Sequence, residues 1–481
     1  PGLIMELILQ EPEIMTPIGL TIDEKDHLYV LESHTHTPMQ DYQGPAFDRI
    51  KKGLDTDGDY EIDQWIIFAD SIEDGMNLNY HQNYGVFLAT KNQVLQFKDT
   101  DHDGVADQRT EILKMYPPEN VYDHAGILGV VAGNDGWIYV SRGNCGSSFW
   151  QIKSMTGEMI EGYGDGGNVF RCKVDGTGLE EVATGFWNPF GLAFSAEGRL
   201  LLTDNDPDSR GPNRLIEVVP GGNYGYQSLY GGSGIHPYLA WNGELPGTLP
   251  YAAPLGEAPC GLIDASFTNL GKSFQNHILA SVWEENNIVM IPLEKRGSYI
   301  YGEPKVLIQG GKDFHPVAYA ANSRGDVYFT DWVIRQYPNH GHGKIWKLSS
   351  RKSKPLIAQN QTEKRAIDRF AAINLSDEEI TQKLENGDPF ERTIIRNHLI
   401  KSSNEELARS FLQSKNPKLR LEGILVMMGL KSQLGQPVLQ TLLKDEGEEI
   451  RRITLIYIGK RSRDDMRASL EEALKTGYIS P

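Results

Sequence analysis

Cysteine is scarce. Three in 481 residues, Cys145, Cys172 and Cys260, are too few for a disulfide framework and too widely spaced for a zinc site, leaving one disulfide or none. Basic residues are outnumbered as well: 47 Lys and Arg against 65 Asp and Glu give a formal charge of −18. A phosphate-backbone binder needs a basic stripe, so nucleic acid is excluded as an expected partner. No apolar run approaches the roughly 18 to 20 residues that span a bilayer, so no transmembrane segment is expected. The chain opens at Pro1 with neither a charged n-region nor an apolar h-region, and the expectation is that any export signal has been removed.

What the sequence does contain is a repeat. An apolar strand, a turn carrying Gly, Asp or Asn, and a second β-rich strand recur at 18–32, 126–141, 190–204 and 317–331. Looser copies lie at 79–90 and 260–282. Runs rich in Val, Ile, Leu, Tyr and Phe between such turns read as strands. Later strands complete each unit, as in 168–174 and 179–184 around the turn "DGTG". Four antiparallel strands repeated six times is the pattern of a six-bladed β-propeller, here over residues 1–350, with "IMELILQ" completing the last blade.

Beyond a linker at 351–362 the periodicity changes. The segments 388–400, 416–428 and 447–459 each have a polar start, an Arg and an apolar face at helical spacing. That predicts a small α-helical HEAT-like repeat domain over 363–481, a packing or docking module for a protein partner. The fold class is mainly β with this helical addition.

Antiparallel strand order sorts the polar residues. In blades with strands A to D, the D-to-A and B-to-C connections share one face, the mouth, and the A-to-B and C-to-D turns share the other. The mouth receives Asp123, His124, "SHTHTP" (33–38), Arg142, Asn188, "DNDPDSRGPNR" (204–214), Glu257, His315 and "RQYPNHGHGK" (335–344). Long polar loops on a rigid scaffold are where function concentrates. A neutral His124 can take a proton from a substrate hydroxyl while Asp123 holds its tautomer; a histidine satisfying local backbone groups is the plainer alternative. Asp204, Asp206, Asp208, Arg210 and Arg214 form either a solvated turn or a site for an ion or anionic cofactor. His34, His36, His340 and His342 come from neighbouring blades and suit a transition metal if they meet. Arg335 and Lys344 suit a carboxylate.

On the opposite face, "DTDGDYEID" (55–63) and "DTDHDGVAD" (99–107) place carboxylates at positions 1, 3, 5 and 9 of a turn. Hard oxygen ligands at this spacing surround calcium: Asp55, Asp57, Asp59, Glu61 (through its carbonyl) and Asp63 in the first, and Asp99, Asp101, Asp103, Val105 (carbonyl) and Asp107 in the second. Ile66 and Thr110 stand where a bidentate Glu is usual, and Tyr60 where Gly is usual in the first loop. Such loops suit millimolar external calcium, so an exported, periplasmic or cell-surface protein is expected.

The run "DHAGILGVVAGNDGWIYVSRGN" with "GFWNPFGLAFSAEGRLLLTDNDPDS" and "PGGNYGY" resembles the sorbosone and soluble glucose dehydrogenase propellers, which use pyrroloquinoline quinone (PQQ). "ESHTH", "TDNDPD", "WNGELPGTLP", "GEAPCGL" and "TDW" with "HGKIW" are similar to the membrane-bound dehydrogenase propellers of planctomycetes, verrucomicrobia and Bacteroidetes. The resemblance covers about residues 1 to 350. It implies an oxidoreductase acting on a sugar or related alcohol or aldehyde, with His124 as general base, and cofactor contacts at Asn188, Asn205, Arg335 and Lys344. It also implies a quinone-bound calcium at the loop Asn205, Asp206 and Pro207. The family's Arg-Asn-Pro is Trp187-Asn188-Pro189 here. No CxxCH haem motif is present, so a cytochrome c or another separate protein is the expected electron acceptor. Two other functions fit the same scaffold: a metal-assisted carbohydrate hydrolase or lyase using His124 with Asp206 or Glu257, and a non-catalytic propeller binding a glycan or a protein.

Overall fold

Residues 2–116, 126–208, 210–230, 235–236, 239–351, 374–461 and 463–476 are described by the computed structural model. Among the described residues six sheets form the blades of a propeller, antiparallel throughout except for one short parallel pair in blade 3. Their innermost strands are Pro17–Ile22, Gly75–His81, Ile127–Ala132, Asn188–Phe194, Pro259–Asp264 and Pro316–Ala321 for blades 1 to 6. Each inner strand packs against the inner strands of both neighbouring blades, closing a ring. The apolar repeat explains this burial: on strands packed between two blades both faces are covered, so Leu28–Glu32 and Gly85–Thr90 read as almost uninterrupted buried runs.

The ring closes through the amino-terminal strand. Leu3–Gln10 pairs antiparallel with Lys344–Ser350, the third strand of blade 6, as the sequence predicts. Blade 3 gains the short strand Gly222–Asn223, parallel to its fourth strand, and blade 2 departs further from the four-stranded pattern. A hairpin from the B-to-C connection of blade 3, Phe149–Ser154 and Met159–Tyr163, adds to its outer edge and makes a six-stranded sheet. Among the described residues no disulfide joins Cys145, Cys172 and Cys260.

Among the described residues seven α-helices follow: α1 (Asp377–Asn386), α2 (Pro389–Lys401), α3 (Glu405–Phe411), α4 (Pro417–Gly429), α5 (Gln436–Leu443), α6 (Glu448–Lys460) and α7 (Arg467–Lys475). The recurring Asp-Pro and Asn-Pro start α2 and α4. Asp388 and Asn416 accept bonds from the first-turn N–H groups, and the following proline gives up an N–H that a helix start leaves unused. Leu384, Leu399, Phe411, Val426, Leu439 and Tyr457 form a common core, which Ala240 and Leu245 of the propeller enter.

The helices are anchored on blades 3 to 5. Phe390 stacks on Tyr299 at 4.8 Å, and Asp388, while capping α2, also accepts from the Ser298 N–H and hydroxyl (2.6 and 2.8 Å). Lys401 reaches Glu180 at 2.5 Å.

Candidate functional site

The mouth is built on a local irregularity shared by all six blades. Each inner strand has a bulge just after its mouth end, between Pro17 and Gly19, Gly75 and Asn77, Ile127 and Gly129, Pro189 and Leu192, Pro259 and Leu262, and Pro316 and Tyr319. A bulge turns one side chain out of the alternating pattern. The residues so turned, Ile18, Met76, Leu128, Phe190, Cys260 and Val317, all line one axial cavity of about 120 Å³. Four of the six inner strands carry Pro immediately before the bulged residue, where the missing N–H leaves no ladder partner unsatisfied.

Glycine follows the bulged residue in four blades because adjacent blades approach there. A Cβ at Gly191 would lie 2.3 Å from the Cys260 carbonyl oxygen and 2.7 Å from Thr203 Oγ1, and one at Gly261 would lie 2.3 Å from the Val317 oxygen. At both positions the nearest obstacle is a backbone oxygen of the next blade, not a flexible side-chain end. Gly191→Ala is thus expected to destabilise the propeller by about 1–3 kcal/mol, the usual cost of overfilling a packed interior. Urea denaturation that leaves the variant within 0.5 kcal/mol of wild type, on the order of ordinary surface changes, would refute the close approach.

Above this apolar floor stand aromatic walls. Trp283 stacks on Tyr337 with centroids 5.1 Å apart and planes at 19°, and Trp332 donates its indole N–H to the Gln336 carbonyl at 2.7 Å. All three line the cavity, with His36, Asn188 and Asn205. Asn188 is buried, and its N–H, like that of Trp187 (3.0 Å), bonds Asp204. Asn205 Oδ1 is a buried acceptor with no partner among the described residues. Beside it Asp206 receives the Asp208 N–H at 2.8 Å, and its own N–H bonds Asn213, whose amide donates to Glu257 at 3.0 Å. Burial first, and neighbouring carboxylates second, raise the carboxyls of Asp206 and Glu257 above their ordinary range.

The remaining expected residues stand outside the cavity lining or outside the described residues. Asp123 and His124 lie outside the described residues; the chain on either side of them ends at Tyr116 and resumes at Gly126. Arg335 is exposed and pairs with Glu284, and Lys344 opens the third strand of blade 6 opposite Asp331, so neither lines the cavity. Arg142 and Arg214 are fully buried structural groups. Arg142 bonds Asn168 and the Gly166 carbonyl beneath Trp150; Arg214 bonds Asp204 and the carbonyls of Tyr224 and Trp241. The four histidines do not meet as a metal cluster. His34 faces Tyr42 and Glu32, His342 bonds Glu11, and His340, its imidazole pushed down to about 4 by burial, packs on Trp332. His315 is buried and accounted for by the Trp283 carbonyl at 2.8 Å.

The two acidic turns lie between the third and fourth strands of blades 1 and 2, opposite the mouth. Asp55, Asp57 and Asp59 offer oxygens within 4.8 Å of one another, and so do Asp99, Asp101 and Asp103. Position 9 braces each loop instead: Asp63 accepts from Thr56 N at 2.7 Å and Asp107 from Thr100 N at 3.0 Å. Asp99 Oδ1 is buried without a partner. Glu61, at position 7, ties its carboxylate to Lys347 of blade 6 at 2.7 Å, leaving its carbonyl for the loop.

Comparison with known proteins follows the fold. A family described as "Domain of unknown function (DUF7133)" matches residues 1–218, and no curated protein matches the chain. A solved glucose dehydrogenase is similar at TM-score 0.50 and 16% identity over 72% of this chain and 98% of that one. The likeness is one of fold. An aldose sugar dehydrogenase from Streptomyces coelicolor in its PQQ-bound form has a TM-score of 0.49 at 15% identity, covering 73% of this chain and 99% of that one. The apo form of the soluble aldose sugar dehydrogenase from Escherichia coli gives 0.49 at 13%, covering 73% and 100%. Among the described residues no helix is long and apolar enough to cross a membrane.

Proposed function

We propose that this protein is an exported oxidoreductase that oxidises a sugar or related alcohol or aldehyde at the propeller mouth with PQQ as cofactor. The observation that carries the reading is the mouth itself: an apolar floor of bulged residues, a stacked Trp283–Tyr337 wall, and the unpartnered Asn205 Oδ1 beside Asp206. A flat apolar wall suits a ring-shaped ligand. An oxygen-rich corner suits a hard cation, which can neutralise the carboxylates of an anionic cofactor where arginine is absent from position 187. When bound, PQQ supplies a two-electron acceptor; the chain's own contribution is to bind, orient and deprotonate. Asn205 and Asp206, with the Pro207 carbonyl, would hold the cation, Asn188 would contact the cofactor, and Arg335 and Lys344, outside the cavity lining, would meet its carboxylates. His124 takes the substrate hydroxyl proton, with Asp123 holding its tautomer. The electrons pass on to a separate acceptor such as a cytochrome c. The sequence resemblance and the shared fold with a solved glucose dehydrogenase agree with this reading.

The test adds calcium chloride and PQQ to purified protein and records the absorbance spectrum and dye reduction against a panel of sugars. Quinone uptake with sugar-dependent reduction is the expected result; neither signal would sink the proposal. The raised carboxyls of Asp206 and Glu257 favour a second reading, metal-assisted hydrolysis or elimination of a glycosidic bond, which would appear as bond cleavage without dye reduction.

Calcium in the two acidic turns belongs to the same reading. Three converging carboxylates repel one another unless a cation lies between them. Saturation at 100 times Kd would add about 2.7 kcal/mol per site. Chelation is expected to lower the melting temperature by several degrees, an effect abolished by the paired Asp57→Asn and Asp101→Asn replacements. An unchanged melting curve in excess chelator would rule out these sites as stabilising ones.

A further inference from the structure

The hairpin that blade 3 lends to blade 2 has two unlike faces. Its register sets Phe149 opposite Tyr163, and Gln151 opposite Glu161 on one side and Tyr116 on the other. Side chains alternate along a strand, so all five stand on one face, with Trp150 and Ile152 on the other. The inner face is fixed: Trp150 and Ile152 are buried in the blade core, the Trp150 indole N–H donates to Asp165 at 2.9 Å, and the Arg142 guanidinium lies 4.1 Å from its ring. The outer face is bare. Tyr116, Phe149 and Tyr163 are 47, 49 and 56% exposed, and none stacks on another ring among the described residues. Gln151 donates to Glu161 at 3.1 Å beside them.

We propose that this face binds a neutral polysaccharide, with sugar rings laid on Tyr116, Phe149 and Tyr163 and hydroxyls bonded by Gln151 and Glu161. Aromatic rings present a flat apolar surface that accepts the C–H face of a sugar, and the amide–carboxylate pair offers donors and acceptors in the adjacent row. Charge points to an uncharged ligand. Lys114 and Lys153 balance Glu111 and Glu161 around the face, while the chain as a whole carries −18 and repels polyanions and anionic lipid. Area argues against a second copy or a protein: three half-exposed rings, with the half-exposed Met159 on the same face, offer roughly 400 Å², well under the roughly 800 Å² per partner of a stable protein interface. A rigid sheet also spares the entropy of ordering the rings on binding. This site is separate from the mouth and stands whether or not the mouth binds a quinone.

The experiment is sedimentation of the full chain with insoluble cellulose, xylan, mannan and starch, with heparin and alginate beads as charged controls. Wild type is expected to be retained by at least one neutral polymer. Tyr116→Ala/Phe149→Ala/Tyr163→Ala should lose at least tenfold in retention at an unchanged melting temperature, and Tyr163→Trp should keep it. Should the triple variant melt early, Tyr163→Ser alone, reporting on the most exposed ring, is compared with Tyr163→Trp at equal melting temperature, and equal retention of the two counts against the proposal. Retention by none of the neutral polymers, retention only by heparin or alginate, or undiminished retention of a folded triple variant would overturn it. So would concentration-dependent dimerisation in sedimentation velocity that the triple variant abolishes.

Discussion

Arg214→Ala is expected to cost about 3–5 kcal/mol of folding stability, the range for stripping one partner from a buried ion pair. Arg214 and Asp204 are both completely buried, and the guanidinium also lies 3.4 Å from the Trp241 ring while donating to the carbonyls of Tyr224 and Trp241 at 2.8 Å. Alanine leaves Asp204 without its cation and two carbonyls without their donor, and empties the space under Trp241. Against a typical total of about 5–15 kcal/mol, that loss moves the whole denaturation curve. Arg214→Lys should recover only part, because one ammonium cannot serve a carboxylate and two carbonyls in the planar geometry of the fork. The effect should also reach the mouth, since Asp204 accepts from the N–H groups of Trp187 and Asn188. Urea titration of both variants checks this. A loss below 1 kcal/mol for Arg214→Ala would mean that the buried pair is not what holds this corner.

His124→Ala is expected to lower turnover by about 10²- to 10⁴-fold in the presence of calcium and PQQ, with a smaller change in KM, the effect of removing a general base. A neutral imidazole is required for proton abstraction, so wild-type activity should rise with pH as the ring loses its proton, and the alanine variant should lose that limb. Asp123→Asn should reduce turnover less, since it would disturb only the orientation of the ring. Steady-state rates across pH 5 to 9 provide the measurement. Activity of His124→Ala within threefold of wild type would assign the base to another residue, and Asp206 and Glu257, with their raised carboxyls, become the groups to replace next.

The histidines show where reading residue types stops being informative. Spacing alone brought His34, His36, His340 and His342 to one face, but only His340 and His342 lie ring to ring, at 5.6 Å, while Tyr42 and Glu32 hold His34 and Glu11 holds His342. Arg142 and Arg214 likewise sit at mouth ends of strands, yet their guanidinium groups point inward under tryptophans. Trp283 and Trp332 line the cavity because each directly follows the second strand of its blade, 5 or 6, where the chain emerges at the mouth. That position was available from strand order; a tryptophan among apolar residues reads as core until the direction of its ring is known.

Strand periodicity, turn residues and the sixfold repeat were enough to determine the propeller, its closure by the amino-terminal strand and the helical addition, because these follow from the chain's local alternation and its need to bury apolar faces. The same alternation put the acidic turns on one side and the long loops on the other. Only the tertiary structure decided what the mouth contains. A bulge shifts a side chain by one step out of the period-two pattern, and the recurring Pro-x-Gly of blades 1, 4 and 5 acquires its meaning when the neighbouring blade's backbone is in place. Six such shifts aim six apolar side chains at one axis, and no property of a single strand records that they meet.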